Sequence, residues 1–256
     1  MNFLISTIIP VFNCEKYIES SINSVINQSI NFNNLQLIII DDGSLDNSKK
    51  IIQTYIKKYN NIEYYYQENS GVGIASNHGL SKVKGEYVTF LGADDLLHVD
   101  AYKILYKNAK LNDCEISIGK IELFNENKKW MFSSHKKIFK NTRITNLANE
   151  IQLVFNASPA NKLFNSQFVL EQKIKYPKER SHADAPFVIS LMFKAKQCYI
   201  SDKTVYYWRK QESGSGIKTI SQNYAKTNSL IELNHLMLKM NKFFDNNLSI
   251  RCKVGM

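Results

Sequence analysis

Two apolar runs in this sequence end directly in paired carboxylates, and each pair suits a different chemistry. Asp41-Asp42-Gly43-Ser44 closes the run that begins at Leu35. Aspartates there can accept hydrogen bonds from a base imide or a ribose hydroxyl, while Gly43 permits a tight turn. Asp, Gly and Ser are equally ordinary turn and helix-cap residues, so this tetrad alone does not separate a binding site from a turn. Asp94-Asp95 closes Gly85-Glu86-Tyr87-Val88-Thr89-Phe90-Leu91-Gly92-Ala93. Hard divalent cations take oxygen ligands and often bind through one or two carboxylates plus substrate phosphates, so the pair is a candidate Mg²⁺ or Mn²⁺ site. The alternative is two solvated aspartates capping a helix that begins near Leu96, Leu97 and Ala101.

The elements needed to position these groups are legible in the spacing. Residues 3–11, 35–41, 62–67 and 87–91 read as strands, separated by helical patterns over 15–28, 48–59 and 72–83. That alternation signals βαβ units and a mainly parallel sheet. In such a sheet ligands sit outside the carboxyl ends of the strands, so Pro10-Val11-Phe12-Asn13, after the first strand, should share a crevice with Asp41-Asp42. Beyond it a helix is expected over 100–112 and a strand over 115–124, followed by a polar, lysine-rich excursion to about residue 141. Helices are then expected over 147–155, 166–171 and 185–195, with a strand over 197–208. Leu230, Leu233, Met237, Met240 and Phe244 have the spacing of an amphipathic helix.

Composition narrows the class. With 256 residues, 44% of them hydrophobic, the chain can bury a substantial core. Cys14, Cys114, Cys198 and Cys252 are dispersed, which argues for reduced thiols in a cytosolic protein rather than a disulfide framework. Residues 3–11 lack a basic leader and fall well short of the ~20 apolar residues that span a bilayer. The formal charge of +10 favours anionic partners such as phosphates or a membrane surface. Scattered lysines without a recognition helix or aromatic platform argue against nucleic acid.

Together, Pro10 to Asn13, Ile40 to Asp46, Gly71 to Leu80 and Gly85 to Asp95 resemble, in order and spacing, the inverting family 2 glycosyltransferases with the GT-A fold. The match is close over roughly the first hundred residues and weaker to about Thr219. It implies a GT-A, Rossmann-like α/β fold with a mainly parallel central sheet flanked by helices. It also implies a nucleotide-sugar donor, with UDP as the nucleotide, bound by Pro10, Val11, Asn13, Asp41, Asp42, Asn69, Asn77, Ala93, Asp94 and Arg209. Mn²⁺ or Mg²⁺ would be held by Asp94 with help from Asp95. The segment Ser181-His182-Ala183-Asp184-Ala185-Pro186-Phe187 is similar to the family's base-carrying H-x-E-D-x-P-F stretch, implying Asp184 as the base that takes the acceptor hydroxyl's proton; a helix N-cap is the other reading of Asp184. Tyr206-Tyr207-Trp208-Arg209, followed by Ser213-Gly214-Ser215-Gly216, resembles the Y-x-R-x-x-x-x-S-x-S segment of bacterial members; Arg209 would bind the donor diphosphate or an acidic acceptor and the Gly-Ser stretch form a flap, and the other reading is a strand-end arginine and a surface loop.

This chain departs from the family pattern at three positions: Gly92 stands where D-x-D begins, Ser76 where arginine precedes Asn77, and Ala183 where glutamate precedes Asp184. The expected organisation is a glycosyltransferase domain over 1–219, with a nucleotide-binding half (1–98) and an acceptor and catalytic half (99–219), and a C-terminal amphipathic helical extension over 220–256. The expected acceptor is a bacterial surface glycan or polyol-phosphate polymer, met in the cytoplasm or at the inner face of the membrane. The rival readings are a nucleotidyltransferase, which should carry a glycine-rich phosphate loop that Pro10 to Asn13 is not, a non-catalytic nucleotide-sugar-binding module, and a membrane-attached scaffold using the C-terminal helix.

Overall fold

The computed structural model describes residues 3–178 and 183–210. In chain order the elements are β1 (Ile5–Val11), α1 (Ile18–Ile26), β2 (Leu35–Asp41), α2 (Ser48–Ile56), β3 (Ile62–Tyr66), α3 (Val72–Leu80), β4 (Tyr87–Phe90), β5 (Leu96–Leu97) and α4 (Ala101–Leu111). There follow β6 (Ile116–Phe124), β7 (Lys129–Trp130), α5 (Ser133–Ile138), β8 (Arg143–Thr145), a 3-10 turn (Ile151–Phe155), β9 (Lys162–Asn165), α6 (Ser166–Gln172), α7 (Asp184–Lys194) and β10 (Cys198–Arg209).

One sheet runs through both halves in the order β3-β2-β1-β4-β9-β6-β10-β5, with β7 on β6 and β8 on β10. β3, β2, β1 and β4 pair in parallel, as do β6 and β10, whereas β9 is antiparallel to both its neighbours. β2 shows why the first half folds this way. All seven of its residues are buried, because helices cover both faces of a central parallel strand. Its side chains alternate between two cores: Leu35, Leu37 and Ile39 pack with Ile18, Ile22 and Ile52, and Ile38 and Ile40 pack with Ala75, Phe187 and Leu191. Each fully buried isoleucine or leucine contributes about 1.5–3 kcal/mol of transfer free energy, so this alternation fixes the register.

The middle section departs from expectation. Leu96 and Leu97 start no helix; they pair antiparallel with Tyr207 and Tyr206, which offer β10 backbone across the fold. The helix expected over 147–155 is reduced to the 3-10 turn, and the lysine-rich excursion contains the β6–β7 hairpin and α5. Among the described residues no helix is long and apolar enough to cross a membrane. His182, the 213–216 segment and the 220–256 extension lie outside the described residues.

Candidate functional site

The ends of β1 and β2 meet as expected, with Val11 opposite Asp41 in register. The connection between them is held by side chains. Asn13 takes a left-handed backbone with φ 50°, its Oδ1 accepts from the Leu45 amide at 2.8 Å, and its own amide donates to Ser44 Oγ at 3.1 Å. Asp41 is fully buried and accepts from the Ser44 amide (2.9 Å) and the Tyr64 hydroxyl (2.7 Å). Asp42 accepts from Gln67 Nε2 (2.7 Å) and from the amides of Ser70 (2.9 Å) and Gly71 (2.8 Å). Gly43, at φ 81°, makes this close approach feasible, because a Cβ there would lie 2.9 Å from the Asn69 amide nitrogen. The Asp42 carboxylate thus shapes the 67–71 loop, while that of Asp41 holds the Ser44 turn and the Tyr64 hydroxyl.

The second carboxylate pair lies at the end of β4. Ser21 Oγ donates to the carbonyls of Ala93 (2.9 Å) and Asp95 (2.8 Å), anchoring the turn to α1. Asp95 is buried, not a solvated helix cap: Oδ2 accepts from the Tyr206 hydroxyl at 2.6 Å and Oδ1 from the Arg209 amide at 2.7 Å. Arg209 Nε donates to the Asp94 carbonyl at 2.7 Å, and its guanidinium lies 4.8 Å from the Tyr17 ring centre and 4.6 Å from that of Phe124. Burial raises the pKa of both aspartates; the charge of Asp94 raises that of Asp95 further, and Arg209 opposes the rise in both. Two neighbouring carboxylates that are costly to ionise together suit a cation held by Asp94 and donor phosphates. Asp95, already engaged at both oxygens, acts as the brace. No cluster of three metal-ligating side chains occurs among the described residues, so a divalent ion here would rely on phosphate oxygens for much of its shell.

The departure at Gly92 has a structural counterpart. A Cβ at this position would lie 2.5 Å from Asp95 Oδ2 and 3.2 Å from the Tyr206 hydroxyl, which also accepts from the Gly92 amide at 3.1 Å. Any side chain at 92 would displace the Tyr206–Asp95 bond.

Asp184 is the first residue of α7. Ala183 takes the N-cap position and makes no side-chain capping bond, so the N-cap reading of Asp184 does not describe this helix start. Burial pushes the Asp184 pKa up to about 6, against the pull of the Lys162 ammonium. A cavity of about 510 Å³ brings Asp184 together with Pro10, Ser76, Gly92, Asp95 and Trp208. Asn13, Asp41 and Asp42 lie at neighbouring strand ends outside its lining. Asn77 also has an internal task. Its Nδ2 donates to the Tyr176 carbonyl (2.8 Å) and its Oδ1 accepts from the Tyr176 amide (2.9 Å), tying α3 to the segment before α7.

Tyr206, Asn156 and His135 also line the cavity, and none of them, nor Lys162, is marked as a site residue by the sequence. Tyr206 stands in the motif that ends in Arg209, and Lys162, between Asn161 and Leu163, carries no local signal of burial.

A parallel sheet with carboxylates at its strand ends, joined through an antiparallel strand to a second half that brings another carboxylate into the same cavity, defines a GT-A-type domain. The chain belongs to glycosyl transferase family 2, whose sequence profile matches residues 6–170, more than half of its length. It is 30% identical over 213 residues to a poly(ribitol-phosphate) beta-glucosyltransferase of Bacillus spizizenii, covering 82% of this chain and 33% of that protein. It is 32% identical over 207 residues to the poly(ribitol-phosphate) beta-N-acetylglucosaminyltransferase TarP of Staphylococcus aureus, covering 79% of this chain and 62% of TarP. Among solved structures, residues 1–349 of S. aureus TarS in complex with UDP-GlcNAc superpose with a TM-score of 0.75 at 25% identity, covering 83% of this chain and 60% of that one. The chain therefore spans less than two thirds of each of these proteins.

Proposed function

We propose that this chain is an inverting glycosyltransferase that moves a sugar from a UDP donor to a hydroxyl of a polyol-phosphate or related surface glycan. The observation that carries this reading is the shared cavity, where Asp184 meets Gly92, Asp95 and Pro10, with Asp94 beside its lining in the same turn. The UDP-GlcNAc complex of TarS and the poly(ribitol-phosphate) transferases among the relatives support the donor and acceptor classes.

The chain's own groups divide the work. The β1 and β2 ends, with the 67–71 loop braced by Asp42, receive the base and ribose. Arg209, held between two rings beside Asp94, offers a cation to the diphosphate. A divalent ion bound through Asp94 would supply charge neutralisation for the leaving diphosphate. In the transfer step the acceptor oxygen bonds to the anomeric carbon as the carbon–oxygen bond to UDP breaks. The acceptor proton passes to an Asp184 oxygen, and UDP leaves with the bond's electron pair. With its pKa at about 6, Asp184 is largely ionised at neutral pH yet basic enough to accept that proton.

The test pairs binding with chemistry on Asp184→Asn. UDP-GlcNAc affinity by calorimetry should stay near the parental value, while single-turnover transfer falls by about a hundredfold or more. Transfer at the parental rate would remove Asp184 from this role. A parent that binds donor but transfers to no polyol-phosphate or glycan acceptor would favour the binding-module reading.

A further inference from the structure

Lys162 is fully buried at the start of β9, a position where lysine is rarely tolerated without a partner. Its Nζ donates to four oxygens: the Asn156 carbonyl (2.7 Å), Asn156 Oδ1 (2.5 Å), the Ser158 carbonyl (2.7 Å) and Asn161 Oδ1 (3.0 Å). All four are acceptors. An ammonium offers three donors to such a shell, whereas a neutral amine would turn a lone pair toward oxygen, so the shell selects the charged form. None of the four is a carboxylate. The titratable groups that interact with the lysine among the described residues are Asp184 on α7, Cys198 on β10 and His135 on α5, and Tyr176 interacts with Asp184. Asp184 is the one carboxylic acid among them.

The loop wrapped around this cation is a wall of the cavity. Asn156, Ser158 and Pro159 line it together with Asp184. With Asn156 Oδ1 committed to the lysine, its buried Nδ2 is left without a partner among the described residues. An unpaired buried amide is costly and invites a hydrogen-bonding ligand.

We propose that Lys162 is a positioning residue for transfer: it fixes the 156–161 wall against which the acceptor hydroxyl is presented, and its buried charge holds Asp184 in the ionised, proton-accepting form. This rests on Asp184 being the base. Burial opposes the charge on Lys162, bringing its pKa down to about 7, while the Asp184 carboxylate pushes back; the two buried charges therefore stabilise each other.

The test is the pH profile of kcat/KM for transfer in the parent, Lys162→Met, Asn156→Asp and Asp184→Asn. Lys162→Met removes the positive charge, so ionised Asp184 becomes harder to form. The acidic limb should move up by about one pH unit, roughly a tenfold loss of kcat/KM on that limb, with UDP-GlcNAc affinity unchanged. Asn156→Asp keeps the lysine but offsets its charge, and should move the limb in the same direction even if Lys162→Met does not fold. An unmoved limb in either folded variant, with only a uniform loss of rate or a lower Tm, would reduce Lys162 to a scaffold group and overturn the proposal. Asp184→Asn separates the two readings: if it keeps both rate and limb, the base assignment fails; if it loses them while the other variants leave the limb in place, only the role of Lys162 fails.

Discussion

Tyr206→Phe should uncouple the end of β4 from β10, and the size of the effect follows from what the hydroxyl does. It is buried, donates to Asp95 Oδ2 at 2.6 Å and accepts from the Gly92 amide at 3.1 Å. Removing it leaves a buried carboxylate oxygen short of a donor and a buried-side amide without its acceptor. At about 1–3 kcal/mol for each of the two orphaned groups, the loss sums to about 2–6 kcal/mol near neutral pH. At ~2–4 °C per kcal/mol for a chain of this size, the Tm should fall by roughly 4–24 °C. The loss also has a pH signature. The folded-state pKa of Asp95 is raised above its ordinary value, and the Tyr206 bond is one of the interactions that limit the rise. Without the bond it rises further, so the folded variant binds more protons than the unfolded chain over a wider range. Stability then falls more steeply as pH rises. The gap between parent and variant should accordingly be smaller near pH 5, where protonated Asp95 needs no donor and only the Gly92 amide stays orphaned, and widen towards pH 8. Differential scanning fluorimetry at both pH values, alongside UDP-GlcNAc titration, measures it. A pH-independent gap below about 1 kcal/mol would refute the claim that this hydroxyl braces the strand end through Asp95.

Three further outcomes are expected. Asp94→Asn should abolish the Mn²⁺-dependent part of UDP-GlcNAc binding in calorimetry, because an amide is a poor ligand where few protein carboxylates are available. Asp42→Ala frees the amides of Ser70 and Gly71 together with Gln67 Nε2, so it should weaken UDP binding even without metal and lower the Tm measurably. In the parent, kcat/KM for transfer should fall about tenfold per pH unit below about pH 6, because the proton-accepting form of Asp184 is present above its pKa and lost as pH drops through it.

The first half of the molecule was legible because its signals are local. The short apolar run Leu37 to Ile40, ending at Asp41-Asp42-Gly43, reads as a strand covered on both faces, and the three-four spacing of Ile18, Ile22 and Val25 marks the buried side of α1. Strand ends then place Asp41, Asp42, Asp94 and Asp95 at one edge of the sheet by topology alone. What those carboxylates do there was not legible, since their partners are remote in sequence. Tyr206 and Arg209 reach Asp95 across more than a hundred residues, Tyr176 claims the side-chain amide of Asn77, and β10 pairs Leu96-Leu97 as a strand just ahead of the helix expected over 100–112. Lys162 is the sharpest instance. Its side chain alone predicts a solvated surface cation, and only a loop folded so that four oxygens converge on one point makes its burial tolerable. Periodicity is a property of neighbouring residues and survives in the sequence; a hydrogen-bond shell depends on where distant segments close on one another, so it exists only in the tertiary structure.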